Sequence, residues 1–373
     1  MTLSQDVVLP KSRQRPDAIY VATDYMYYDM PYKDIQYITN CIIDNYNPNL
    51  EIVYDVEGEG LPYYILIWLD KITRTLIANN IDLNSITLLS GGHNGEENQI
   101  LYLKLCEKFN FIPVKIKFTN IYEQHAIRYL NLYPEIYNSE VSVPRLKPKK
   151  FLCLNRTVKV HRISLVAELM RRNLVDDAYV SMYVNGSDED GCVGSFGIPY
   201  HNISKQLPKY HESISNYLKE NEHRFPLKLT LEKDPTNTFD MSKEQYLFDD
   251  SYFGIITETK YFSDSDDIDL IKSDLTLDCS FFTEKTYKFI LAKHPFILVG
   301  FRRSLAKLRE QGYKTFSPYI DESYDTIEND EDRLMAIADE IERLSKFTDE
   351  EWLEFQRHTI PIIEHNFKVF ASK

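Results

Sequence analysis

The fold class follows from one stretch of the chain, which reads Ser85-Ile-Thr-Leu-Leu-Ser-Gly-Gly-His-Asn-Gly-Glu-Glu-Asn-Gln-Ile-Leu-Tyr-Leu-Lys-Leu-Cys106. It begins as a β-rich run, passes through a loop with three glycines and continues as a segment typical of a helix. Phe111 to Phe118 follows as a second β-rich run. Strand, glycine loop, helix and strand in this order indicate a parallel sheet, so we predict an α/β protein.

The same alternation restarts after a short basic linker. Residues 142–150 contain two prolines and four basic residues, a composition typical of a connection between domains. Phe151 then begins a buried-strand pattern, and an amphipathic helix is predicted over 161–172. We therefore predict two facing Rossmann-like domains, an N-terminal one at 1–145 and a C-terminal one at 150–347. In open parallel sheets ligands bind beyond the carboxyl ends of the strands, which places the expected site in the cleft between the domains.

The end of the chain is predicted to be one long helix over 348–373 that packs back toward the N-terminal domain. Thr348 and Glu351 have the spacing of a capping box, and Pro361 should kink the helix. Residues 321–354 hold 14 acidic and three basic side chains. Because the apolar residues here recur at helical spacing, we interpret the acidic block as the solvated outer face of terminal helices rather than as a site.

The composition excludes several classes of protein. The chain has 373 residues, 43% of them hydrophobic, and a formal net charge of −14, which does not suit a disordered, collagen-like or disulfide-stapled chain. The acidity argues against a dedicated binder of duplex DNA, which needs a basic face. The five cysteines form no CxxC pair and are typical of free thiols. With no signal-peptide pattern and no apolar run of membrane length, a cytoplasmic location is expected.

The stretch from Asp278 to Gly300 carries the clearest chemical signal. Thr283 can cap a helix whose first turn presents Glu284 and Lys285. A helix N-terminus binds anions. A lysine at this position is unfavourable for the helix dipole, so its presence there suggests that it binds a phosphate. The neighbouring carboxylate could accept hydrogen bonds from ribose hydroxyls. The alternative is a capped surface helix with an incidental Glu-Lys pair.

This stretch resembles the donor-binding motif of the fucosyltransferases of glycosyltransferase family 10, and similar segments occur in glycosyltransferase-like proteins of bacteriophages and large viruses. Thr283, Glu284 and Lys285 match the motif, and residues 295–300 match its proline-containing strand ending in glycine. The likeness extends over about 250–320, is weaker over 150–172 and leaves the first 145 residues unmatched. It implies a two-domain GT-B enzyme that uses a nucleotide sugar, without a bound metal or other cofactor, and inverts the anomeric configuration.

The resemblance also implies roles for single residues. It places Glu284 at the ribose and Lys285 at the phosphate, and Glu258 lies in a segment similar to the strand that precedes the motif in these enzymes. The family's Gly-x-Val-Pro turn reads Lys293-His294-Pro295-Phe296 here, so the sugar and the base stay open between a GDP-fucose-like and a UDP-sugar donor.

A second candidate group follows the first strand of the C-terminal domain. Asn155 and Arg156 lie in the predicted loop after this strand, and Arg162 comes shortly after them. A guanidinium offers a planar fork that suits a diphosphate, and the resemblance implies a pyrophosphate-binding arginine in this region. We favour Arg156 over Arg162. A basic helix start at the surface is the alternative.

The catalytic base is expected from the N-terminal domain. An inverting transfer needs a carboxylate or imidazole that takes the proton of the acceptor hydroxyl. His93 in the glycine loop or Glu96 directly after it could supply this base, with Asp24 after the first strand as the rival. The alternative is an ordinary glycine turn before an acidic helix start. The acidic runs near 187–190 and 264–269 are interpreted as solvated loops, not metal motifs.

The sequence thus predicts a glycosyltransferase that moves a sugar from a nucleoside diphosphate donor to the hydroxyl of a glycan or another acceptor. One alternative keeps the fold and makes the acceptor a hydroxylated modified base in DNA, as in a viral enzyme. Another is a catalytically inactive protein of this fold that binds a glycan or a partner. A nucleic-acid acceptor is therefore possible but not favoured.

Overall fold

A computed structural model describes the chain at residues 18–22, 32–56, 63–91, 96–139, 141, 143–155, 158–182, 200–225, 227, 229, 239, 244–259, 261–262 and 282–373. The model divides into two compact units, one comprising the described residues up to Ile121 and the other those from Tyr122 onward. Each unit is built around its own parallel sheet of four strands. The predicted α/β class is therefore confirmed.

The first unit alternates strands and helices without interruption. Its elements are β1 (Ala18–Ala22), α1 (Tyr32–Asn45), β2 (Glu51–Val56), α2 (Tyr63–Ala78), β3 (Ile86–Gly91), α3 (Glu96–Phe109) and β4 (Lys115–Thr119), with a 3-10 turn at Leu83–Ser85. The strand order is β1-β2-β3-β4, so each strand lies beside its neighbour in sequence. The last strand begins at Lys115 rather than at Phe111, because Pro113 cannot donate a ladder hydrogen bond.

The core of the first unit joins the helices to one face of this sheet. Alternate residues Ile52 and Tyr54 of β2 and Ile86 and Leu88 of β3 are buried there. Side chains at helical spacing on α1, α2 and α3 pack against them; they include Ile35, Ile38, Ile42, Leu66, Leu69, Ile72, Leu76, Tyr102 and Leu105.

The second unit is longer and less regular. Its elements are α4 (Ile121–Leu132), α5 (Glu135–Asn138), β5 (Lys149–Asn155), α6 (Val160–Arg171), β6 (Tyr179–Met182), α7 (Tyr200–Gln206), α8 (His211–Glu220), α9 (Gln245–Asp249), β7 (Ser251–Thr257), α10 (Glu284–Leu291), β8 (Phe296–Val299), α11 (Ser304–Glu310), α12 (Asp330–Ser345) and α13 (Asp349–Ala371). Its strands are parallel and lie in the order β6-β5-β7-β8. The direction of strand addition therefore reverses between β5 and β7.

Burial in the second unit is deeper than its sequence pattern predicts. All seven residues of β7 are buried. Helix α6, which we expected to be amphipathic, is buried at every position from Val160 to Met170. This helix contacts α7, α8 and α12, so its polar side chains are also covered. Trp352 of α13 is fully buried and stacks on Tyr252 of β7, with ring centroids 4.1 Å apart.

The boundary between the units falls at residue 121, earlier than the predicted end of the first domain at 145. Ala126 and Leu130 of α4 are buried in the core of the second unit, which draws this helix to the later residues. The basic linker is likewise fixed there, because the side chain of Gln356 on α13 both accepts from and donates to the main chain of Arg145.

The terminal helix begins with the predicted capping box. The side chain of Thr348 accepts from the N–H of Glu351, and the Glu351 carboxylate accepts from the N–H of Thr348. The helix packs on α10 of the same unit. Its expected approach to the first domain and the kink at Pro361 stay predictions.

Candidate functional site

The candidate site lies at the carboxyl ends of β5 and β7, where the strand order reverses. Such a reversal opens a crevice at the edge of a parallel sheet, and ligands of α/β proteins bind there. Asn155 ends β5 and Thr257 ends β7. Both residues are buried, and the Thr257 hydroxyl donates to Oδ1 of Asn155 at 2.6 Å. This bond fixes the two strand ends that form the floor of the crevice.

Glu258, the next residue after β7, connects this strand to helix α10. It is only 2% exposed. Its carboxylate accepts from the N–H of Thr283 at 3.0 Å, from the Thr283 hydroxyl at 2.6 Å and from the Thr286 hydroxyl at 2.6 Å. These three donors belong to the first turn of α10 and its cap, so the carboxylate holds the start of the helix against the end of the strand. Its negative charge also lies at the positive end of the helix dipole.

The first turn of α10 presents a lysine and a carboxylate side by side. Thr283 is the N-cap, as predicted, and its hydroxyl oxygen accepts from the N–H of Lys285. The Lys285 ammonium donates to Glu284 Oε1 at 2.8 Å and also contacts the hydroxyls of Thr283 at 3.1 Å and Thr259 at 3.4 Å. The two charged side chains are 25% and 22% exposed. Both side chains are therefore accessible to a ligand. Binding it would break the ion pair between them and replace it with contacts to the ligand.

Arg162 lies beneath the crevice rather than at its surface. Its Nη2 donates to the main-chain carbonyls of Thr257 and Glu258, both at 3.2 Å, and the residue is 3% exposed. Arg162, the less favoured of the two arginines considered for a diphosphate, thus supports the end of β7. Its positive charge still raises the electrostatic potential at the nearby crevice, because salt screens buried charges only weakly.

His161 supports the same strand end. Its Nε2 is 3.0 Å from the Glu258 carbonyl, and its ring stacks on Tyr261 at a centroid distance of 5.2 Å. Burial holds the pKa of His161 well below its usual value, and Arg162 beside it acts in the same direction. The neutral ring then donates an Nε2–H to the carbonyl, which makes His161 a structural donor and not a general acid at neutral pH.

Sequence reasoning missed the outer support of the crevice. Arg333 of α12 donates to the carbonyl of Tyr261 at 3.0 Å, and its guanidinium lies 4.6 Å from the centre of the Tyr261 ring. Nothing local marks this contact, which joins residues 72 positions apart. Thr286 was also missed, although a hydroxyl three residues after the capping threonine is a readable signal for a second donor on the same side of the helix.

The structure therefore brings together six of the predicted residues. These are Asn155, Arg162, Glu258, Thr283, Glu284 and Lys285. Arg156, His93 and Asp24 lie outside the described residues. Glu96 begins α3, but its side chain is not among those described, so the choice of catalytic base stays a prediction.

Comparison with known proteins adds no assignment. No family model, curated protein or solved structure matches this chain. In the described part of the chain, no three His, Cys, Asp or Glu side chains come together as metal ligands would. Among the described helices, none combines the length and the apolar character needed to cross a membrane.

Proposed function

We propose that this protein is a glycosyltransferase that transfers a sugar from a nucleoside diphosphate sugar to an acceptor hydroxyl. The observation that carries the proposal is the position of Glu284 and Lys285. A carboxylate that can accept from a ribose diol and an ammonium that can bind a phosphate stand together, partly exposed, at the strand ends where α/β proteins bind ligands. The resemblance of this segment to family 10 fucosyltransferases supports the same function.

The proposed chemistry assigns each described residue one task. Lys285 stabilises the negative charge that grows on the departing diphosphate, and Glu284 orients the nucleoside through its ribose. Glu258 fixes the turn that carries both residues, while Arg162 adds buried positive charge below. The N–H of Thr283 is already bonded to Glu258, so the phosphate depends on the Lys285 ammonium more than the sequence alone suggested.

The remaining elements of the proposal come from the resemblance. They are a GT-B arrangement of the two α/β units, inversion at the anomeric carbon, and catalysis that uses no bound metal. The acceptor-side base is then Glu96, His93 or Asp24 of the first unit. Substituting each in turn and measuring single-turnover transfer would identify it, because loss of the base removes about 100-fold to 10,000-fold in rate.

Donor binding tests the proposal directly. Isothermal titration of the full chain with GDP-fucose and with UDP-sugars should detect one of them, and Lys285→Met should weaken that binding by about tenfold or more, the cost of a lost charge-assisted hydrogen bond. Lys288→Met is the matched control. It removes a lysine from the same helix that pairs with Glu244 instead. Equal losses in the two variants, or no binding of any nucleotide sugar to the folded chain, would contradict the proposal.

Release of nucleoside diphosphate in the presence of acceptors separates the enzyme from its alternatives. Transfer to a glycan supports the favoured function. Transfer only to DNA that carries hydroxylated bases supports the viral base-modifying enzyme. Donor binding that never leads to transfer or hydrolysis would identify a binding protein that has kept the donor site.

A further inference from the structure

A cavity of about 220 Å³ lies in the second unit, at the sheet edge opposite the candidate site. Tyr252, the second residue of β7, and Pro295, just before β8, line it at the amino-terminal ends of these strands. The side of α13 from Gln356 to Ile363 closes it. The candidate site uses the carboxyl ends of the same strands, so the cavity is a separate feature.

The first notable group in the cavity wall is Lys147. Its Nζ donates to the carbonyls of Ser251 at 2.7 Å and Phe248 at 3.3 Å, and its main-chain N–H donates to the hydroxyl of Tyr252 at 2.8 Å. No carboxylate oxygen of the described residues lies within 4.0 Å of this ammonium. Burial lowers the pKa of Lys147 to about 8. Neutral oxygens therefore hold this charge in place. Among the described residues it has no direct ion-pair partner, and the Asp249 and Asp250 carboxylates act on it only from a longer distance.

A second ammonium in the wall is held in the same way. Lys293 adopts a left-handed backbone with φ of 52° directly after α10. Its Nζ donates to the carbonyl of Ile136 and the hydroxyl of Ser139, each at 3.1 Å, and to the Ser139 carbonyl. In the described part of the chain, Lys293 likewise has no carboxylate within 4.0 Å, and burial lowers its pKa.

Neither of the two described carboxylates in the wall forms an ion pair with these lysines; Asp249 acts on Lys147, and Glu364 outside the wall acts on Lys293, without direct contact. Asp249 accepts from the side chain of Gln245 at 3.0 Å. Glu135 is exposed to solvent. The rest of the wall combines apolar side chains, among them Phe248, Leu291, Ile360 and Ile363, with polar ones such as Gln245, Gln356 and Thr359.

We propose that this cavity binds a small organic carboxylate with a short apolar body. The carboxylate would supply the direct ion-pair partner that Lys147 and Lys293 do not have among the described residues, and the apolar body would lie against Phe248 and Ile360. A partly buried charge that no carboxylate contacts is costly, so a ligand that provides one gains more here than at an exposed lysine. A carboxylate suits this cavity better than a phosphate dianion, because it is less strongly hydrated and its apolar body can use the apolar half of the wall.

Hexanoate is the probe that tests this proposal, with 1-hexanol as the uncharged control of equal chain length. Titration of the full chain should show hexanoate binding that Lys147→Met weakens by about tenfold or more, while hexanol binding is unchanged. Lys346→Met serves as the control variant, because this side chain, at the residue that follows α12, is 70% exposed. Lys293→Met is a second variant that should also weaken hexanoate binding. The proposal can therefore still be tested if one of the two variants does not fold.

The pH dependence gives an independent readout. Hexanoate affinity should fall as the pH rises through about 8, where Lys147 loses its proton. Arg145, Asp249, Asp250 and His294 also face this lysine and set that midpoint. Equal hexanoate affinity in the wild type and both lysine variants, or no binding to the folded chain, would overturn the proposal. Neither result bears on nucleotide-sugar binding at Lys285.

Discussion

Glu258 shows how a single buried charge can organise a site. A carboxylate in the protein interior is stable only when donors replace its water. Here the main-chain N–H of Thr259 at 3.2 Å joins the three donors from the start of α10. The carboxylate of Glu258 therefore already balances the positive end of this helix. In the proposed function, this leaves the side chain of Lys285 to bind the phosphate.

Removing this carboxylate should therefore cost stability as well as binding. We expect Glu258→Ala to lower the free energy of unfolding by about 3 kcal/mol, because several buried donors lose their acceptor. Glu284→Ala is the matched control and should cost less than about 1 kcal/mol, since that carboxylate is partly exposed. Urea unfolding of the two variants measures the difference. Similar losses would mean that Glu258 is not the anchor of the turn.

The sequence predicted the parts of this site that are close together in the chain. The cap at Thr283 and the Glu284-Lys285 pair follow from residues within one turn of each other. The role of Arg162 could not be predicted, because it depends on β7, some 95 residues later, and on the burial of α6 on every side. Arg333 gave no signal either, since its partner Tyr261 lies 72 residues earlier.

At the scale of elements, helix α10 is seated on β7 through a glycine. A Cβ atom added to Gly254 would lie 1.8 Å from Cε1 of Phe289. The ring therefore occupies the space that a side chain in this strand would need. This contact sets how close the helix lies to the sheet, and so fixes the position of the first turn that carries Lys285.

Gly254→Ala should consequently destabilise the second unit by about 1 to 3 kcal/mol, the usual cost of overpacking a core. The same substitution should cost less in a Phe289→Leu background, because the smaller side chain vacates part of the space. A double-mutant cycle measured by urea unfolding gives the coupling energy. Strict additivity of the two changes would show that Phe289 does not determine the cost.

Element boundaries were predicted well where local chemistry determines them and poorly where packing does. The capping box of α13 and the start of α10 lie where the sequence places them. The compact units divide at residue 121, and the predicted domain bounds stay a prediction; the basic linker has the composition of a domain connection, yet Gln356 of α13 binds the main chain of Arg145. A polar, proline-containing composition indicates a solvent-exposed linker. It gives no information about a contact with a residue more than 200 positions away.

For the whole molecule, two buried histidines couple stability to pH. Burial lowers the pKa of both His161 and His294 well below 6.5, so neither takes up a proton readily in the folded state. An unfolded histidine does bind a proton as the pH falls below about 6.5. The unfolded state then holds more protons, and the stability of the second unit decreases as the pH falls from 7 to 5.

His294→Gln tests this coupling away from the candidate site. The substitution should reduce the fall in stability by up to about 1.4 kcal/mol per pH unit, the contribution of one proton. In a Trp68→Phe background, fluorescence of the buried Trp352 reports on the second unit alone. Burial raises the pKa of Glu322 and Asp325, which act in the opposite direction, so the readout is the difference between variants. An unchanged slope would contradict the prediction.

The two strand orders also have a consequence for the route by which the chain folds. In the first unit, Glu51 and Thr87, which bond across β2 and β3, lie 36 residues apart in the chain. In the second, Asn155 and Thr257, which bond across β5 and β7, lie 102 residues apart. Closing the longer loop costs about 1 kcal/mol more in chain entropy, and pairings between distant residues form slowly.

Refolding followed by pulsed hydrogen exchange should therefore protect the amides of β2 and β3 before those of β5 and β7. Simultaneous protection of both sheets would contradict this order. The crevice at the ends of β5 and β7 would then be among the last features to form, after the chain between them has already been brought into place. Ligand binding would accordingly report completion of folding in the second unit.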